Sequence, residues 1–342
     1  MHQKLITFAV PCYNSAEYMD RCVESLLSGG PEVEIILVDD GSCDATPEIC
    51  DRYAARYPGV VKAVHQENSG HGEGVNQGLR GASGLYYKVV DSDDWLDTRA
   101  LGRLLAQLRL FAGEPAPADL VICNYVYEHA EPGRGRVMCY KHVLPRNRVF
   151  TWEECRPFGL SQYIMMHALV YRTAVLRECG LVLPKHTFYV DNLFVYIPFP
   201  WVKTLFYLNL DLYRYYIGRP DQSVNESNMV KRSAQQLRVT RAMAEAYNLR
   251  ELRKREPRLA AYMSKHLSIM MAISSLLLIL DGSPECEASR QELWQYLKAL
   301  DQWLYYKLKY RSIASLTGLN SQVSKRAAVL VYRAAQRVYR FN

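Results

Sequence analysis

Glu34-Ile35-Ile36-Leu37-Val38-Asp39-Asp40-Gly41-Ser42 decides the reading of the first half of the chain. An apolar run of this length, stopped by two aspartates and a glycine, predicts a buried strand that ends in a polar turn. The pattern recurs on either side. Leu5–Val10 runs into Pro11-Cys12-Tyr13-Asn14, and Leu85–Val90 runs into Asp91-Ser92-Asp93-Asp94. Val60–His65 and Asp119–Tyr127 read as further strands. Helices are expected from a Ser15 cap to about Leu27, from Asp44 or Thr46 through Tyr53, around Val75–Gly81 after a glycine-rich segment, and over Thr98–Phe111. Short apolar strands alternating with helices predict an α/β fold with a Rossmann-like, mainly parallel sheet covered on both faces. Ligands of such sheets bind beyond the carboxyl ends of the strands. The three polar clusters all fall there.

The 342 residues suggest two domains, and the pattern divides them at 1–226 and 227–342, the second almost wholly helical. Apolar residues at 49% and charged residues at 23% exclude long disorder. The net charge of +7 is a property of the tail: Gln302–Asn342 holds eight basic residues and no acidic one. A basic nucleic-acid-binding domain is therefore not expected. Nine scattered cysteines without a C-x-x-C pair argue against a disulfide framework or zinc ribbon and suit a reducing cytosol. The opening MHQKLITFAVPCYN is too quickly polar for a signal peptide. Leu267–Leu280 falls short of the roughly 20 residues that span a bilayer and reads as a buried helix.

Asp91, Asp93 and Asp94 place three carboxylates within four residues. Such crowding is costly unless a cation, hydrogen bonds or solvent compensates it. Hard oxygen ligands suit Mg²⁺ or Mn²⁺ bridging to a diphosphate. Taken alone, the cluster fits a solvated turn with a helix cap equally well.

Four blocks in order change that balance: FAVPCYNSAEYMDRCVESLL from Phe8, EIILVDDGSCDAT from Glu34, ENSGHGEGVNQGL from Glu67 and YYKVVDSDDWLD from Tyr86. Together they resemble the family 2 glycosyltransferases of GT-A fold, over roughly residues 4–216, and among them bacterial enzymes of cell-surface polysaccharide synthesis. The resemblance implies an inverting, metal-dependent transfer from a nucleotide-sugar donor to a glycan or lipid-linked hydroxyl acceptor. It implies that Pro11 and Tyr13 line the nucleotide pocket, with Tyr13 against the base. Asp39 would accept from the base N–H, the uracil imide for a UDP-sugar. Asp91 would face the ribose or the metal shell, and Asp93 would ligate Mn²⁺ or Mg²⁺ directly. In the glycine-rich block Asn76 and Gly78 fit the family, but its usual basic residue is missing, with His71 the available substitute. The same block fails the G-x-G-x-x-G spacing of dinucleotide-binding folds.

Inverting transfer needs a base for the acceptor proton. The resemblance points to Asp191 in FYVDNLFVYIP, which otherwise reads as an ordinary N-cap aspartate; Asp94 is next in line. In LYRYYIGRPDQSVN, the residues Tyr213, Arg214, Tyr215 and Arg219 suit a flap over the diphosphate or a plain surface strand. The final segment sets Arg326, Arg333, Arg337 and Arg340 beside an apolar stripe of Val323, Ala327, Leu330, Ala334, Val338 and Phe341. A basic amphipathic helix of this kind suits an anionic membrane surface. Competing expectations are a nucleotidyltransferase, disfavoured because PCYNSAEY follows the first strand instead of a glycine-rich signature with a base, and a non-catalytic nucleotide- or glycan-binding module, which needs neither Asp93 nor Asp191.

Overall fold

The computed structural model describes residues 3–129, 135–159, 162–217 and 225–339. The chain divides into two compact units, Met1–Arg156 with Ile164–Ile217, and Pro157–Tyr163 with Gly218–Asn342.

The first unit is built on one mixed sheet. Its strands are β1 (Ile6–Cys12), β2 (Val33–Asp39), β3 (Val61–His65), β4 (Tyr86–Val89), β5 (Trp95–Leu96), β6 (Leu120–His129), β7 (Arg136–Met138), β8 (Val149–Phe150), β9 (Leu169–Arg172) and β10 (Leu205–Ile217). The order is β3-β2-β1-β4-β9-β6-β10-β5, with β7 on β6 and β8 on β10. β3, β2, β1 and β4 run parallel, as do β6 and β10. The sheet is less parallel than the alternation predicts. β9 enters antiparallel between β4 and β6, and the two- and three-residue strands β5, β7 and β8 are antiparallel too. Every residue of β1 and β2 is buried, which requires cover on both faces.

The helices of this unit are α1 (Met19–Leu27), α2 (Thr46–Arg56), α3 (His71–Gly81), α4 (Thr98–Ala112), α5 (Thr173–Glu178) and α6 (Asp191–Tyr196). Two differ from expectation. α3 begins at His71 rather than near Val75, and its glycines are packing residues. A Cβ on Gly74 would lie 2.9 Å from Pro11 Cβ, and one on Gly78 would collide with Ala9, so bare glycines let the helix press on β1. Ser15 does not cap α1. Tyr18 holds the cap position, and the Ser15 hydroxyl instead meets Ser92 Oγ at 2.7 Å.

The second unit is helical: α7 (Glu226–Lys231), α8 (Ser233–Ala246), α9 (Leu249–Arg255), α10 (Pro257–Asp281), α11 (Pro284–Leu300), α12 (Gln302–Tyr310), α13 (Ser315–Gly318) and α14 (Gln322–Tyr339). α10 exceeds its apolar stretch. Its 25 residues are long and apolar enough to cross a membrane by length and composition, which corrects the shorter estimate from Leu267–Leu280. About 67% of its most apolar window is buried inside the protein, as in a core helix. Two of its buried hydroxyls find partners in the same unit: Ser275 accepts from the Trp294 indole and Ser274 meets Thr240. Gly282, with φ of 76°, ends the helix in the left-handed conformation that glycine tolerates.

Candidate active site

Register brings the three polar loops together. Cys12 pairs with Asp39 and Asp39 with His65, so the last residues of β1, β2 and β3 stand in a row. Ala9 pairs with Val89, which sets Asp91 just beyond the same edge. The loops are then laced. Asn14 donates its N–H to Ser42 Oγ and accepts from Cys43 N–H. Asp40, buried, accepts from Gln66 Nε2 and from the backbone N–H groups of Ser69 and Gly70, fixing the turn into α3.

Beside this row Tyr13 is 53% exposed, a free aromatic face at the mouth of the loops. Asp39 is buried, and its two oxygens meet Ser42 N–H and His65 Nδ1, each at 3.1 Å. Hydrogen bonds to Asp39 and Asp51 raise the His65 pKa above its ordinary value. Pro11 lies buried within β1 against Gly74 of α3.

The acidic loop forms the centre. Asp91 is held between two imidazoles, His71 Nε2 at 2.8 Å and His167 Nε2 at 3.5 Å. Burial would raise its pKa, but hydrogen bonds from His167 and His71 hold it well below the usual carboxylate range. Although burial works against the charge of His71, the Asp91 hydrogen bond and the charges of Asp91, Asp191 and Asp93 raise its pKa. His167 was not legible as a site residue. It is buried, stacked on Tyr215 at 4.4 Å, edge-on to Tyr213, and its Nδ1 has no hydrogen-bond partner. Lys88, also missed, is fully buried and donates to His167 O at 2.7 Å and Leu169 O at 3.3 Å, so it carries the turn that presents His167. Burial lowers its pKa to about 8.

Asp91, Asp94 and His167 set ligand atoms within 4.8 Å of one another, a spacing that fits one cation. Asp93 stands outside that group and is half-buried. Asp94 is tied to the sheet, accepting from Tyr213 Oη at 2.6 Å and Tyr216 N–H at 2.8 Å. Burial, followed by the neighbouring Asp93 and Asp91, pushes its pKa well above the carboxylate range. A divalent cation would relieve that crowding.

Asp191 opens α6, but the cap position belongs to Val190. Burial raises the Asp191 pKa; the charges of His167 and His71 oppose the rise and that of Asp91 adds to it. The loop before it takes positive φ at His186 (47°) and Tyr189 (66°) and lies against the α3 turn, where a Cβ on Gly70 would come 2.9 Å from His186 N.

Three expected contacts with the donor are corrected. Asn76 is buried, and its amide donates to Glu73 and to Leu183 O and accepts from Leu183 N–H. It pins the segment leading to Asp191, and both its N–H donors are taken within the protein. Arg214 binds Glu128 at 2.9 Å and Asp97 at 3.1 Å, and Tyr213 is buried beneath the acidic loop, so neither forms a flap. Arg219 lies outside the described residues.

A Rossmann-like sheet whose carboxyl edge gathers an exposed tyrosine, a buried aspartate and a cation-sized acidic group defines a GT-A-type domain. Residues 7–150 match the Glycosyl transferase family 2 profile. The glycosyltransferase GlyG of Streptococcus pneumoniae serotype 4 is 40% identical over 124 residues, covering 36% of this chain and 39% of that protein. The minor teichoic acid biosynthesis protein GgaA of Bacillus subtilis is 35% identical over 103 residues, covering 28% and 23%. The chain thus spans well under half the length of these relatives. S. aureus TarS 1–349, solved in complex with UDP-GlcNAc, shares the fold with a TM-score of 0.66 at 19% identity, over 97% of this chain and 92% of that one.

Proposed function

We propose that the protein is an inverting, metal-dependent glycosyltransferase that moves a sugar from a nucleotide-sugar, a UDP-sugar, to a hydroxyl of a glycan or lipid-linked acceptor in cell-surface polysaccharide synthesis. The observation that carries this reading is the cation-sized grouping of Asp91, Asp94 and His167 at the carboxyl edge of the sheet. The family domain, the UDP-GlcNAc complex of the structural neighbour and the teichoic acid role in the name of one relative support it.

Tyr13 stacks on the base and Asp39 accepts from its N–H, while Asp91 faces the ribose side. Mn²⁺ or Mg²⁺, held by Asp93 and Asp91 with Asp94 and His167 beside them, would supply positive charge to the departing diphosphate. Asp191 takes the proton of the acceptor hydroxyl. The freed oxygen bonds to the anomeric carbon from the face opposite the diphosphate. The bond from that carbon to the diphosphate oxygen breaks, its electron pair leaving with the nucleoside diphosphate.

Asp39 gives the direct test of donor recognition. Asp39→Ala is expected to weaken binding of UDP by about 1–3 kcal/mol, the scale of a polar partner left unpaired in a buried site. Titration calorimetry reads this, and unchanged affinity removes Asp39 from the pocket.

The site of action is the cytoplasm, at the inner face of the membrane. In α14 the apolar Val323 and Leu330 are 78% and 70% exposed, on a face shared with exposed Arg326, while Ser324 and Ala328 are buried. Arg333 is partly engaged by Glu226 at 2.6 Å. The side chains of Arg337 and Val338, and residues Arg340 and Phe341, lie outside what is described. An exposed apolar stripe next to arginines supports binding to anionic lipid. A chain ending at Ser321 is expected to stay in solution when anionic vesicles are sedimented at low salt, while the full chain is carried down. Equal recovery of both overturns this placement.

A further inference from the structure

The helical unit contains a cavity of about 510 Å³ between α10, the end of α12 and Phe158-Gly159. Its chemistry is unlike that of the acidic edge. Lys265, Lys307 and Arg311 line it, and no carboxylate does. None of the three forms an ion pair among the described residues. Lys265 donates to the carbonyls of Gly159 and Gln162, which anchors its ammonium there without neutralising it. Lys307 rests over the Trp303 ring at 4.9 Å. Burial lowers the Lys265 pKa to about 8, and burial together with the charge of Arg253 lowers that of Lys307. Ser264, 2% exposed, also lines the cavity, and its hydroxyl has no hydrogen-bond partner.

Cations gathered in a half-dry cavity repel one another and lose hydration, and an unpaired buried hydroxyl adds a desolvation cost of its own. An anion that reaches all of them offsets both. Charge selects among anions. A phosphomonoester carries about −1.5 to −2 near pH 7, enough to balance two of three cations, whereas a monocarboxylate leaves two uncompensated. Phe158, Leu308 and Ile313 complete the wall and suit a small organic substituent. The volume lies within the roughly 300–1,000 Å³ of ligand pockets.

We propose that this cavity binds the phosphate of an organic phosphomonoester, on Lys265, Lys307, Arg311 and Ser264, at a site separate from the nucleotide edge of the sheet. The phosphate can belong to a soluble molecule or to a lipid headgroup, and the experiment distinguishes them. Glycerol 3-phosphate is titrated into the full chain by calorimetry. In parallel, the chain is sedimented with phosphatidate vesicles and with phosphatidylglycerol vesicles matched in surface charge, because a basic tail does not discriminate between those lipids and the cavity does.

Binding of glycerol 3-phosphate identifies the soluble source, and a preference for phosphatidate identifies the headgroup. Either is expected to fall by about tenfold or more in Lys307→Glu/Arg311→Glu, the loss expected when charge-assisted hydrogen bonds are removed. Circular dichroism and melting temperature check the fold of that variant. If it does not fold, Lys307→Gln and Ser264→Ala replace it, with smaller losses expected in the same direction. Absence of both glycerol 3-phosphate binding and phosphatidate preference overturns the proposal. So does binding that the folded variants leave unchanged, or that only Asp39→Ala abolishes.

Discussion

Asp191→Asn is expected to lower turnover by about 10²–10⁴-fold, the usual contribution of a positioned general base. The amide keeps the size of the side chain and much of its hydrogen bonding but cannot take a proton. UDP affinity is expected to stay near wild type, because the proposed donor contacts are Asp39, Asp91 and Asp93. Melting temperature is expected to stay near wild type as well, since Val190 rather than Asp191 holds the cap position. A helix-terminal role alone predicts turnover close to normal, because asparagine serves a helix N-terminus nearly as well as aspartate. The wild-type pH profile gives a second reading on the same group. Burial raises the Asp191 pKa above the ordinary 3.8, and the base works only when deprotonated. Activity is therefore expected to fail as pH drops through a value above 3.8, and this acid limb should disappear from the residual activity of Asp191→Asn. Near-normal turnover in the variant would send the search for the base elsewhere. Asp94, whose oxygens accept from Tyr213 and Tyr216 of β10, would then be the first candidate to test.

Asp93→Asn carries the second large effect, a loss of about 10²–10³-fold in turnover, the scale on which a preorganised charge contact is removed. The neutral amide is a weaker ligand, so Mn²⁺ binding followed by paramagnetic resonance should weaken in parallel, with the fold intact. His167→Ala belongs in the same series. Asp91, Asp94 and His167 form the tight group while Asp93 stands outside it, so the two variants ask which carboxylates and which imidazole hold the ion. Wild-type activity that survives EDTA would remove the metal from the reaction. Activity retained in Asp93→Asn but lost in His167→Ala would move the site onto the tight group.

Most of the sheet was readable because burial on both faces writes itself as continuous apolar runs. β1, β2, β3 and β6 begin and end within two residues of where Leu5–Val10, Glu34–Val38, Val60–His65 and Asp119–Tyr127 place them. The aspartates at those strand ends were readable for the same reason: a carboxylate that stops an apolar run is at the sheet's edge. The start of α3 was not. Glycine lowers helix propensity, so Gly72 and Gly74 read as loop, yet contact with Pro11 and Pro184 favours a helix there and leaves no room for a larger side chain.

The sequence alone determined the alternation of strands and helices, the polar clusters that terminate the strands, and through their order the match of residues 7–150 to the family 2 profile. Those depend on local periodicity and on residue types at short spacing, which a linear chain displays. The tertiary structure decided which groups act on one another. His167 lies 76 positions beyond Asp91 and Lys88 lies within an apolar run, so nothing local marked either, and only the packing of β9 beside β4 brings the imidazole to Asp91 and the ammonium to the carbonyl of His167. The same packing turned Asn76 from a ligand contact into a clamp on Leu183, 107 positions away. Desolvation and charge coupling depend on distance in space, and distance in space is set by how the strands pair.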